Sequence, residues 1–462
     1  MAHELWRNSA NELARMIRDK EVSSREVVES HLERIEAVNS SVNAITVVLA
    51  DSALRAADEA DNSPTTGPLH GVPFTIKENI DCVGSATTQG LPAMANAMPT
   101  EDAPVVARMK AAGAIPLART NMPELGLRIT TDNPLRGRTL NPWNPSRTAG
   151  GSSGGEGSTL ASGMSPIGLG NDIGGSLRNP AYCCGITSLK PTTGRIPHAS
   201  SLPPEDFYLA AQLMCVDGPM ARHVDDLRLA YSILSGRDPR DPFSVDAPLH
   251  GPDLINRRVA LVTDIPETTL PDSTLAAIRQ AGEVLMKKGW LVEEVSPPEL
   301  ARVNELWGHL LSADIAQTLP SISPIMSKPA VRLLEELVST FDSSTMPSLV
   351  LHTERARLLR EWSTFFQDYP VVIGPTWTNI PFLHDADIDP DGDPNTTFDQ
   401  LKFITPGNLL GIPSVALPMG VANGLPTGIQ VYADLWREDL CLNAAADIEA
   451  TVGQLCPIDP VS

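Results

Sequence analysis

T-A-G-G-S-S-G-G-E-G at 148–157 and G-N-D-I-G-G-S-L-R at 170–178 are two glycine-rich turns, and the rest of the chain reads outward from them. Serine falls at 152, 153, 158, 162, 165 and 176 in the same interval. Glycine at this density marks a backbone that must adopt conformations, or make approaches, that a Cβ forbids. A flexible Gly/Ser linker has a similar composition, but apolar sequence flanks both turns, so they are read as ordered. Hydroxyls on two such turns suggest a site built from backbone amides and serine oxygens. Three chemistries compete for it. A P-loop needs Lys followed by Ser or Thr, which neither turn supplies, and the dinucleotide fingerprint G-x-G-x-x-G is missing from the interval. An esterase elbow needs a second glycine two residues after its serine, where Ser176 is followed by Leu177 and Arg178. The third chemistry uses two serines and a lysine from upstream, and it fits.

That lysine stands in G-V-P-F-T-I-K-E-N-I at 71–80; Ser152 follows Lys77 by 75 positions, and Ser176 follows Ser152 by 24. Downstream, D-I-G-G-S-L-R-N-P-A at 172–181 runs on to C-G-I-T-S-L-K-P-T-T-G-R at 184–195. With these motifs in place the chain resembles the amidase signature family, over 66–197 and again over 370–449. The resemblance implies that Ser176 is the nucleophile, Ser152 the bridging serine and Lys77 the base. It also implies a cis peptide before Ser152, and an oxyanion hole from the amides of Ile173, Gly174, Gly175 and Ser176. Asp172 and Arg178 resemble residues that hold the serines in place, and Ser153 is read either as a further hydrogen-bond partner or as a small residue that the turn tolerates. T-N-M-P-E at 120–124 resembles a loop beside the acyl pocket, which gives Met122, Gly126 and Leu127 as pocket residues.

The chemistry requires these residue types. A serine hydroxyl is a weak nucleophile until a base takes its proton, and lysine is a base only when neutral. Free lysine titrates near ~10.4, so activity at pH 7–8 needs a depression of roughly 2.5–3 units, by burial or a nearby cation. Apolar Phe74 and Ile76 beside Lys77 suit such burial.

Composition bounds the rest. A chain of 462 residues, 42% hydrophobic, has ample material for a core, and its 41 prolines are scattered as in ordered loops. The net charge is −21, with 35 Lys+Arg against 56 Asp+Glu and no basic run. That disfavours nucleic acid and anionic membrane partners, which need Lys/Arg clusters. No stretch approaches the ~18 apolar residues of a membrane span. The polar start, M-A-H-E-L-W-R-N, lacks a signal-like apolar region. Six cysteines without a C-x-x-C pair, and scattered histidines, read as free thiols in a cytoplasmic protein with no metal site. The sequence D-I-D-P-D-G at 387–392 mimics half a calcium loop, but its twelfth position is Phe398 rather than Glu, so it is read as a solvated acidic loop.

Helices are expected at 9–20, 23–38 (with a capping box at 23–26), 51–61, 102–112, 223–235 and 273–288. Strands are expected at 43–49, 73–76, 114–117, 258–263, 290–295, 371–376, 414–417 and 425–431. Alternation of the two predicts an α/β sheet covered on both faces. The family resemblance makes it one large domain, 1–462, with a mixed twisted sheet. The stretch 198–217 reads as loop-rich, with Phe207, Tyr208 and Met214 facing either substrate or core. The helical, Leu-, Trp- and Met-rich region 301–369 matches in position a cap over the substrate funnel.

The expected function is cleavage of an amide through an acyl-enzyme, with no organic cofactor or metal, by a monomer or homodimer. Ile173, Leu127 and the apolar cap point to an apolar alkyl or aryl acyl group. The same site serves carbamates (urethanes) and esters chemically. One rival is the glutamine-hydrolysing component of a tRNA-dependent amidotransferase. Against it stand Ile173, where those components are expected to carry Thr, and a cap without an obvious arginine–acid pair. A non-catalytic binding protein is a second rival, disfavoured by the intact Lys77, Ser152 and Ser176.

Overall fold

The computed structural model describes residues 4–64, 67–389 and 394–461. Residues 1–3 of the polar start, Thr66 and positions 390–392 of the acidic run lie outside the described residues. Eleven strands form one sheet: β1 (Ile45–Val48), β2 (Pro73–Lys77), β3 (Ile115–Thr120), β4 (Ile167–Asp172), β5 (Thr187–Lys190) and β6 (Val216–Ala221), then β7 (Arg258–Leu261), β8 (Leu291–Glu294), β9 (Val371–Pro375), β10 (Ser414–Ala422) and β11 (Leu425–Tyr432). Their order is β1-β3-β2-β4-β6-β5-β10-β11-β9-β7-β8. The sheet is mixed. β3, β2 and β4 run parallel, as do β9, β7 and β8, and the block from β4 through β6, β5, β10, β11 and β9 is antiparallel. Helices cover both faces, so every residue of β2, β4, β6 and β9 is buried, as a doubly covered sheet demands.

The expected helices and strands form within a few residues of their forecast limits. The capping box is present, with the Ser23 hydroxyl accepting from Glu26 N and Glu26 accepting from Ser23 N. The glycine-rich heart departs from expectation. β4, β5, and the helices Gly154–Ala161 and Arg178–Cys184 have no counterpart among the expected elements, and 198–217 holds a short helix, Leu209–Met214, before β6 begins. Glycines 168 and 170 hide β4 in the sequence. They are there because the Ser153 side chain and the Glu156 carboxylate lie directly on the strand, where a Cβ would collide.

Lys77 ends β2 and Asp172 ends β4, the parallel neighbour. Both therefore reach the same carboxyl edge of the sheet, where open α/β folds place ligands. Three helices, Leu300–Ile322, Lys328–Thr340 and Ser348–Asp368, make up the 301–369 region. None of the helices among the described residues is long and apolar enough to cross a membrane.

Candidate active site

Lys77 is fully buried at the end of β2. Its Nζ donates to Asn171 Oδ1 at 2.6 Å and lies 2.7 Å from Ser152 Oγ. Burial pulls its pKa down to about 7, against the opposing pull of Cys215, Asp172, Asp217 and Glu156. The depression that a lysine base needs is thus a consequence of where β2 ends. Glu156, in the first turn of helix Gly154–Ala161, is pushed up to about 8 by its burial, although Thr75 and Thr120 donate hydrogen bonds to it.

The Gly151–Ser152 peptide is cis. Position 151 must be glycine because a Cβ there would strike the backbone of Ile129 and Thr130. G-G-S-S-G at 150–154 does spell G-x-S-x-G around Ser152. A true elbow rises from a sheet strand, whereas Ser152 follows an irregular segment, so the spelling is coincidental. Ser153 ties the two turns together: its amide donates to Ser176 O at 3.3 Å and its hydroxyl to Asn171 O at 3.4 Å.

Asp172 organises the second turn. Its carboxylate accepts from the amides of Gly175 (2.7 Å) and Leu177 (3.1 Å), from Arg178 Nε and Nη2 (both 3.0 Å), and from Asn408 Nδ2 (2.8 Å). Burial alone would raise its pKa, but Arg178, Lys190 and Asn408 hold it well below the usual carboxylate range. Arg178 in turn donates to Ile404 O, Gln430, Tyr432 and Asn408, so the late strands anchor the turn. Gly175 has φ +102°, and a Cβ there would meet the Ile404 side chain. Its amide is taken by Asp172, so of the four amides expected to line an oxyanion hole this one is already engaged.

Ser176, 8% exposed, lies where two cavities meet. One is apolar, walled by Trp307, Leu311, Ile315, Leu333, Leu337 and Leu401. The other is more polar and is reached by Ser152, Asn171, His198, Cys215 and Asp217. Gly126, Leu127 and Ile173 border both. Met122 does not: it is fully buried behind Gly126. Phe207 lines the polar cavity, Tyr208 is exposed, and Met214 belongs to the core.

Several site residues carried no functional reading in the sequence. Asn171 sits inside the quoted motif, and its presence at the end of a strand beside Lys77 was the available signal. Trp307, whose Nε1 donates to Ile173 O at 2.9 Å, and Asn408 come from distant segments with no spacing to betray them. One member of the acidic run is corrected. Asp387 is buried and paired in two 2.9 Å hydrogen bonds with Arg128 at the rim of the apolar cavity, so this residue is not solvated, whereas Asp389 is exposed.

A buried lysine, two serines on glycine turns and a mixed sheet match the layout expected from the sequence, and comparison with known proteins fixes the family. The Amidase family model matches residues 26–442. An indoleacetamide hydrolase of Bradyrhizobium diazoefficiens is 40% identical over 98% of this chain and 88% of its own length. A glutamyl-tRNA(Gln) amidotransferase chain of Salinispora tropica is 31% identical over 97% of this chain and 98% of its own. Among solved structures, 6-aminohexanoate cyclic dimer hydrolase complexed with substrate superposes with a TM-score of 0.84 at 28% identity, covering 97% of this chain and 98% of that one. The chain belongs to the amidase family of amide hydrolases.

Proposed function

We propose that this chain hydrolyses a primary amide of an aromatic, acetamide-like acyl group, the class named by its indoleacetamide hydrolase relative. The observation that carries the reading is the apolar cavity on one side of Ser176, whose wall is Trp, Leu and Ile, with its bordering arginine already paired to Asp387. Of the expected Leu, Trp and Met, leucines and Trp307 supply the wall. In this reading the helices of 301–369 act as a cap over the acyl group.

Lys77, neutral near pH 7, takes a proton from Ser152, which takes one from Ser176. Ser176 attacks the carbonyl, and the oxyanion rests against the amides of Ile173, Gly174 and Ser176, where one such donor is worth about 10²–10³ in rate. The relay runs backward to protonate the leaving nitrogen, ammonia departs, and water then releases the acid. Carbamates and esters of the same acyl shape fit the same steps.

The glutamine-hydrolysing reading fits less well, because among the described residues the acyl side holds no unpaired charge for a free amino acid. An arginine–acid pair does exist, Arg128–Asp387, but the two groups satisfy each other. Two measurements test the assignment. Intact-mass analysis after a fluorophosphonate should give one adduct, lost in Ser176→Ala. Steady-state rates should favour indole-3-acetamide over glutamine, and the opposite preference would sink the aromatic-acyl reading.

A further inference from the structure

The two cavities that meet at Ser176 differ in one decisive respect. Ser152 opens into the polar cavity and not into the apolar one. A relay that returns a proton through Ser152 can reach only a leaving group on that side. The acyl group then occupies the apolar arm, and the departing nitrogen faces the polar arm.

The polar arm is a built site. Asp217 lies in β6 directly opposite Asn171 in the antiparallel register with β4, one strand away from the residue that accepts from Lys77. Its carboxylate is buried, and Oδ1 approaches His198 Nδ1 at 2.9 Å. The approach is close but poorly aligned, so neither atom gains a well-directed hydrogen bond among the described residues. The Phe207 ring stacks on the imidazole, with centroids 4.4 Å apart, and His198 N is held by Asp241 at 3.0 Å. A carboxylate acceptor, braced by the imidazole, is thus fixed on the cavity wall. Burial would lower the imidazole pKa, but Asp217 and Cys215 hold it well above its ordinary value, so it is a donor at neutral pH.

We propose that His198 and Asp217 form a leaving-group subsite that selects a small, hydrogen-bonding amine, ammonia from a primary amide, over alkyl or aryl amines. The subsite rests on the acyl-side assignment made above. A leaving NH₂ can donate to the Asp217 carboxylate, which His198 holds in place, while its one lone pair takes the proton returned by Ser152. An N-aryl group would cover that carboxylate with carbon and remove this contact, which is costly. Both residues are specificity-determining, and neither is required for the Lys77–Ser152–Ser176 relay.

The test uses three amides that share one acyl group: indole-3-acetamide, its N-methyl amide and its anilide. kcat/KM reports acylation, the step in which the leaving group matters, whereas all three share one deacylation. In His198→Gln and Asp217→Asn the value for the primary amide should fall about tenfold, and its ratio to the anilide should fall by at least about tenfold, the scale of an unpaired polar contact. Inhibition by indole-3-acetate, which fills the acyl arm, should be little changed. Adduct formation with a fluorophosphonate reports that each variant is folded, and Asp217→Asn carries the test if His198→Gln is not labelled. Equal losses on all three amides, or no loss on any, would overturn the leaving-group assignment while leaving the aromatic-acyl reading intact. Failure of the unmodified protein to cleave any of the three would overturn that reading and the subsite with it.

Discussion

Lys77 Nζ and Asn171 Oδ1 are 2.6 Å apart, and an amide oxygen only accepts, so the lysine must donate there. A neutral amine that donates to Asn171 has its lone pair free for the proton of Ser152, 2.7 Å away. Asn171 thus orients the base without adding charge beside it.

The first prediction concerns pH. With the Lys77 pKa near 7, kcat/KM should rise with pH along a limb centred at about 7, as the ammonium loses its proton. Lys77→Ala should lose about 10²–10⁴ in rate, the worth of a general base. Asn171→Asp places a carboxylate against Nζ, which favours the ammonium and should move the limb to higher pH. A Lys77→Ala variant with near-normal rates at pH 7.5 would refute the role of the base.

The same burial has a cost in stability. Unfolded lysine titrates near 10.5 and folded Lys77 near 7, so between these values the unfolded chain holds the extra proton. By linkage the folding stability contributed through this group rises with pH across that window, by about 1.4 kcal/mol per unit. Lys77→Met should therefore be more stable than the native chain below pH 7. Its advantage should shrink steadily toward pH 10.5. Urea melts at pH 7 and 9.5 measure the difference, and an advantage that grows with pH would contradict the sign.

A third prediction follows from Asp172 and Arg178, both fully buried and mutually bonded. Removing one partner leaves an uncompensated charge in the core, at about 3–5 kcal/mol. Arg178→Met should destabilise the protein by that order. Adding Asp172→Asn should recover part of the loss, because the orphaned charge is gone. Recovery in the double variant, read by thermal melts, separates charge from lost packing; a purely additive pair would assign the effect to packing.

These cases show which parts of the site are legible in a sequence. Lys77, Ser152, Ser176, Asp172 and Arg178 lie within three compact motifs, where residue type and spacing carry the chemistry, and the structure brings all five to one edge of the sheet. The strands that hold them were harder to see. β4 reads I-G-L-G-N-D, and its glycines, there to admit the serine loop, erase the β-branched pattern that marks a strand. Trp307, Asn408 and the His198–Asp217 pair depend on contacts between segments far apart in sequence. No local rule encodes these contacts.

The last prediction concerns the cap. Glu124 is buried beside the pocket residues Gly126 and Leu127 and accepts from Ser327 N at 2.7 Å and from Ser327 Oγ at 2.5 Å. Ser327 precedes helix Lys328–Thr340, which supplies Leu333 and Leu337 to the apolar wall. One carboxylate therefore fixes the register between the loop bordering the apolar cavity and the helix that walls it. Glu124→Ala should raise KM for an aromatic acyl amide several-fold, because the wall must be ordered on binding. It should change KM for acetamide little, since a methyl group does not reach that wall. Hydrogen exchange at 328–340 should quicken in the same variant, as the helix loses its tether. Equal KM changes for both substrates, with exchange at the helix unchanged, would show that Glu124 acts on the loop alone and not on the cap.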